Sequence, residues 1–190
     1  DRNLFSYLFL PYWQLNKTDQ KYFINVNAKS IPCQIGRNGI IAKNDKREGD
    51  LCTPSGLWNL RKLYYRKDKI NFIFDKIKNK IAINKISKNC GWCDDKNSKF
   101  YNKKIKIIKN NIFVHGRYEK LWREDDTYDI FFELGFNDCP VIKGMGSAIF
   151  LHCSFDDLRP TSGCIAISKE SFEYILNNLK INTYIEIEEC

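Results

Sequence analysis

At 190 residues the chain is long enough to bury one sizeable core, and 43% apolar with 14% aromatic residues excludes a disordered polymer. The formal charge of +8 accompanies a general enrichment in Lys, Asn and Ile, without a recognition-helix pattern or an aromatic RNA-binding motif, so nucleic acid is not an expected partner. No apolar run approaches the roughly 18–20 residues that cross a bilayer, and no transmembrane segment is expected.

The first apolar stretch, Leu4 to Trp13, is broken by Pro11 and lacks the basic leader and small-residue cleavage site of a secretory signal. Strand-like runs follow at Tyr22–Val26, Ile31–Ile35, Leu57–Tyr65, Ile81–Ile86, Asn111–His115, Asp129–Gly135, Ile149–Cys153 and Thr183–Glu188. Arg37-Asn38-Gly39, Thr53-Pro54-Ser55-Gly56 and Gly144-Met145-Gly146 punctuate them as turns. In the last run Thr183, Ile185 and Ile187 alternate with Tyr184, Glu186 and Glu188, the period of a strand with one buried face. A short helical turn fits Glu119–Glu124. One helix is clear: Ser168 caps Lys169–Lys180, Glu170 suits its positive end, and Phe172, Ile175, Leu176 and Leu179 form an inward stripe. No repeat or linker divides the chain. The expectation is a single domain over residues 1–190, mainly β with one or two helices.

Eight cysteines form no regular framework, which leaves open disulfides of an oxidising compartment or reduced thiols in a core. Cys90-Gly91-Trp92-Cys93 invites a zinc or redox reading. A structural zinc needs four ligands, however, and no second pair follows; the strand-then-helix setting of a redox motif is also missing. Neither metal nor cofactor is expected. The chemistry concentrates elsewhere. His152, one of two histidines, ends the apolar run Ala148-Ile149-Phe150-Leu151, and Gly163-Cys164 follows after a loop. A thiol needs a base or cation to fall below its ordinary pKa of about 8.5, and a strand-end His supplies one. A glycine before the sulfur lets the backbone turn tightly and a carbonyl approach. The competing reading is a buried core Cys beside a satisfied polar His, and spacing alone does not choose.

Gly144-Met145-Gly146-Ser147-Ala148-Ile149-Phe150-Leu151-His152 and Pro160-Thr161-Ser162-Gly163-Cys164-Ile165-Ala166 together resemble the catalytic segment of YkuD-type L,D-transpeptidases, in a branch with the signature GxGSAIFLH…PTxGC. Asp45 to Asp50, Thr53 to Gly56, Gly91 to Asp95, Leu121-Trp122-Arg123, Tyr128-Asp129 and Leu134-Gly135 resemble the same branch in the same order, giving a motif-matched core of about residues 35–168.

The resemblance implies a mixed β-sheet or sandwich fold and a cell-wall acyltransferase. Cys164 would attack a meso-diaminopimelate carbonyl in a peptidoglycan tetrapeptide stem and expel D-alanine, with His152 as base. The backbone N–H groups of Ser162, Gly163 and Cys164 would form the oxyanion hole, and a second stem would act as acceptor. An L,D-carboxypeptidase or amidase using the same pair is the alternative, and a catalytically dead wall-binding module a third. Carbapenem-type inhibitors fit such a thiol. The substrate implies the periplasm or cell envelope. Two departures stand out: Ser162 replaces the second His of the commoner motif, and Ala166 stands where an Arg is usual. Arg123 is the candidate replacement as carboxylate anchor, with Arg117 and Arg159 next. Trp122, His115, Ser147 and Asp94 are further substrate-binding candidates, and Cys93 is placed in a loop beside the groove.

Overall fold

The computed structural model describes residues 11–72, 74–108, 116–153 and 159–189. Fourteen strands and one helix follow in order: β1 Tyr12–Thr18, β2 Lys21–Val26, β3 Lys29–Cys33, β4 Ile40–Ile41, β5 Thr53–Pro54, β6 Gly56–Tyr65, β7 Ala82–Lys85, β8 Cys90–Cys93, β9 Lys103–Lys106, β10 Tyr118–Lys120, β11 Ile130–Leu134, β12 Phe150–Cys153, β13 Ile165–Ile167, α1 Lys169–Asn178 and β14 Tyr184–Ile187. This is the mainly β, mixed-sheet architecture the sequence implies. None of the described helices is long and apolar enough to cross a membrane.

A nine-stranded sheet runs β13-β12-β11-β6-β14-β1-β2-β3, with β7 also on β6. Strand β6 is shared between its halves: Gly56–Asn59 pair with β14, and Leu60–Tyr65 with β11. The two ends of the order then meet. Beyond β3, Gln34 exchanges both backbone hydrogen bonds with Ala166 of β13, at 2.8 and 2.9 Å, and Gly36 bridges Thr161. The sheet therefore closes on itself, and the segment carrying Cys164 is held from both sides.

Alternation along the strands divides the interior. Leu151, Cys153, Ile165 and Ile167 join Leu15, Ile24, Phe132 and Ile185 in the larger core, sealed by Phe172, Ile175, Leu176 and Leu179 of α1 and its C-cap. Phe150 and Cys164 face the other way, among Tyr64, Trp92, Tyr128 and Phe131. Ser168 caps α1, its Oγ accepting the Ser171 N–H at 3.2 Å. The helix ends at Asn178, two residues before the sequence expectation.

Three local expectations are corrected. Cys90–Cys93 is not a loop but β8, centre of a second sheet β10-β8-β9, with all four residues buried. Residues 118–120, where a helical turn was expected, instead pair antiparallel with β8, because cross-strand hydrogen bonds outweigh a weak local preference. Strand β1 was missed. Trp13 and Leu15 point inward between polar neighbours, a two-residue alternation too brief to stand out. The expected strand Asn111–His115 lies outside the described residues.

Candidate active site

The site is built where β12 and β13 run parallel. His152 sits opposite Ala166, and Leu151 opposite Ile165. Since side chains alternate, His152 and Cys164 share one sheet face, one pleat apart. Both line a cavity of about 620 Å³ whose walls also include Arg123, Tyr128, Ser147 and Ser162.

Cys164 is 9% exposed. Its thiol donates to the Ala148 carbonyl at 3.1 Å and accepts the Phe150 N–H at 3.4 Å. Burial, with the nearby negative charge of Glu119, pushes its pKa up to about 12; the Phe150 N–H and Lys46 pull the other way. Ala148 adopts φ +53°, a left-handed conformation unusual for a non-glycine residue, and its N–H donates to Asn102 Oδ1 at 3.0 Å. The sulfur thus rests between two main-chain groups fixed by a strained residue.

His152 is buried, and burial pushes its pKa down to about 4, with the charge of Arg123 acting in the same direction and the Cys153 carbonyl opposing both. Its Nδ1 lies 2.6 Å from that carbonyl and therefore carries the proton, leaving Nε2 as the acceptor. The Tyr128 ring stands edge-on to the imidazole at 5.4 Å, and the Tyr128 hydroxyl donates to Glu119 at 2.7 Å. Thiol and imidazole are both neutral at rest. This differs from a His-activated thiolate: desolvation of both groups outweighs their attraction as an ion pair.

The Cys164 loop is pinned by hydroxyls. Thr161 Oγ1 donates to the Cys164 carbonyl at 2.6 Å and accepts the Gly163 N–H at 3.1 Å. Thr53 Oγ1 donates to the Gly163 carbonyl and accepts the Gly36 N–H, both at 2.9 Å. The Gly163 N–H, expected in the oxyanion hole, is therefore already engaged, while Ser162 and Cys164 line the cavity. Gly163 has φ +136°, and a Cβ there would lie 2.8 Å from the Cys52 carbonyl oxygen. Gly163→Ala should lower stability by about 1–3 kcal/mol and slow acylation of Cys164. A thermal midpoint and labelling rate equal to wild type would show that the loop yields freely.

The other expected residues separate. Arg123 reaches the cavity, but its Nε and Nη2 close on Asp125, and Nη1 lies 3.7 Å from Glu119. That pairing holds the Asp125 carboxyl down at about 2. Asp94 lines the cavity and pairs with Arg117 at 3.1 Å. Ser147 lines it too, donating to Glu48 at 2.7 Å. Trp122 does not line it: the Arg66 guanidinium stacks 4.0 Å over its ring, which packs against the core around Phe131 and Phe150. Cys93 is fully buried away from the cavity lining. His115 lies outside the described residues. Tyr128 and Glu119 were missed as site residues, because Tyr128 comes beside His152 through the pairing of β11 with β12 and Glu119 joins only through the Tyr128 hydroxyl. Among the described residues, no group of three His, Cys, Asp or Glu side chains converges to hold a metal.

A family model described as the L,D-transpeptidase catalytic domain, YkuD, matches residues 11–187, extending beyond the motif core at both ends. Among solved structures, the chain is similar to L,D-transpeptidase 1 of Mycobacterium tuberculosis, with a TM-score of 0.39 and 9% identity; the match covers 94% of this chain and 58% of that one. No curated protein matches it.

Proposed function

The chain belongs to the YkuD L,D-transpeptidase catalytic-domain family, and from that premise we propose that it cross-links peptidoglycan stem peptides through a thioester on Cys164. The observation that carries this reading is the placement of Cys164 and His152 on one sheet face at the wall of one cavity, with the imidazole Nε2 left as acceptor. A tetrapeptide stem is the donor. As its carbonyl approaches, the Cys164 proton passes to Nε2 and the sulfur bonds to the carbonyl carbon. The Phe150 N–H stays on the sulfur side. The oxygen gathers negative charge facing the N–H groups of Ser162 and Cys164. That charge, absent at rest, is what makes an imidazolium tolerable in so desolvated a place.

Collapse breaks the carbon–nitrogen bond, and the imidazolium protonates the departing D-alanine amine. The amine of a second stem then attacks the thioester, returns a proton through His152 and frees the thiol. Asp94, Arg123 and Ser147 are contact residues for the peptides in this scheme, and a carbapenem would acylate the same sulfur. No cofactor enters. The substrate places the enzyme in a bacterial cell envelope. Incubation with purified tetrapeptide muropeptides, followed by mass spectrometry, should show covalently linked dimers. Tripeptides alone would transfer the role to a carboxypeptidase, and unchanged tetrapeptides would overturn the proposal.

A further inference from the structure

Two residues past Cys164 stands Ala166, which cannot pair with a carboxylate. Most cations around the cavity are already committed. Lys46 is paired with Asp50 at 2.5 Å, Arg117 with Asp94 and Arg123 with Asp125, while Arg159 is also engaged. Arg37 differs. It is exposed at the cavity wall, and among the described residues its guanidinium has no hydrogen-bond or ion-pair partner.

Its backbone is nonetheless among the best fixed near the site. The Arg37 N–H donates to the Thr161 carbonyl at 2.9 Å, directly after the Gly36–Thr161 bridge. Thr53 ties the neighbouring Gly36 to Gly163. The base of Arg37 is therefore locked to the loop that presents Ser162 and Cys164, while its tip is uncommitted. Arg37 and Pro160 also border a second cavity of about 460 Å³, reaching toward Lys21, Tyr22 and Phe23. Arg37 thus borders both spaces.

We infer that Arg37 is a specificity-determining residue that grips the free C-terminal carboxylate of the donor stem, one residue beyond the carbonyl Cys164 attacks. The inference rests on the transpeptidase reading above. A planar guanidinium holds a carboxylate by two parallel hydrogen bonds, and an unpaired one is recruited without breaking an existing ion pair. The second cavity lies on the leaving-group side and receives the D-alanine end. A stem lengthened by one residue would carry its carboxylate past the guanidinium, so the arrangement reads peptide length as well as charge.

The test compares a synthetic tetrapeptide bearing a free C-terminal carboxylate with its C-terminal amide. The wild type should favour the acid in kcat/KM by on the order of 10-fold, the size of a partly exposed charged hydrogen bond. Arg37→Gln should bring the acid down to the rate of the amide, and Arg37→Lys should recover part of the difference. Alkylation of Cys164 by iodoacetamide, which has no carboxylate, should proceed at the wild-type rate in Arg37→Gln. A preference that survives Arg37→Gln, or that vanishes in Arg123→Ala instead, overturns the assignment. Failure of the wild type to turn over either peptide would overturn the transpeptidase reading itself, a result distinct from turnover indifferent to Arg37.

Discussion

Cys164→Ala should lower stem-peptide turnover by on the order of 10⁴-fold or more, since no other group can form the thioester. A carbapenem should add one covalent mass to the wild type and none to the variant. The described cysteines explain why the adduct should map to one residue. Cys153, the nearest in sequence, turns into the opposite core and donates to the Ile130 carbonyl at 3.8 Å. Burial pushes its thiol up to about 12. Cys93 is fully buried and Cys52 only 8% exposed, neither at the cavity lining. Cys139 is exposed, but it too lies outside that lining. Removing one sulfur from a 9% exposed site should leave the fold intact, which circular dichroism would verify. An adduct persisting in Cys164→Ala, or mapped to Cys93 or Cys153, would sink the assignment.

His152→Gln should reduce turnover by roughly 10²- to 10⁴-fold, the usual worth of a positioned general base. Gln preserves much of the volume and can still donate to the Cys153 carbonyl, so the loss reports proton transfer more than packing. The same substitution has a second signature. Because the folded His152 holds its pKa down at about 4 against an ordinary 6.5, the unfolded chain takes up the proton first as the solution is acidified. Stability from this group is full above about pH 6.5 and declines as pH falls toward 4, by about 3 kcal/mol in all; below 4 both states are protonated and the decline stops. Urea midpoints at pH 7 and pH 4.5 should therefore differ more for wild type than for His152→Gln. Equal differences would mean that the imidazole is solvated in the folded protein.

What could be read from the chain was what is local. The Ser168 cap and the Phe172–Leu179 stripe are contained within a dozen residues, and the structure places them as the spacing implied. The placement of His152 and Cys164 on one face was legible for a similar reason, since few residues separate them in sequence. The partners were not. Tyr128 reaches His152 because β11, which it leads into, pairs with β12, and nothing near residue 128 in sequence announces a carboxylate at 119. The resting charge state was hidden too. Spacing puts a base near a thiol, but burial decides whether either is charged, and here it leaves both neutral. Arg123 shows the converse: sequence spacing gives no sign that Asp125, two residues on, bonds its guanidinium in the fold. Arg37 gave no signal, because availability is defined by the engagement of every other cation around it.

The bridge from Gln34 to Ala166 joins two segments far apart in sequence. Closing so long a loop is slow compared with making a helix or a hairpin. On the proposed mechanism, reactivity is thereby a late event in folding. A chain lacking the residues before β4 can hold Cys164, His152 and strands β11, β12 and β13, yet lose Arg37 and the strip that pairs with Thr161 and Ala166. That ordering postpones the proposed chemistry until the last seam is shut, and it makes the strip from Gln34 to Arg37, which supplies neither nucleophile nor base, a condition of activity.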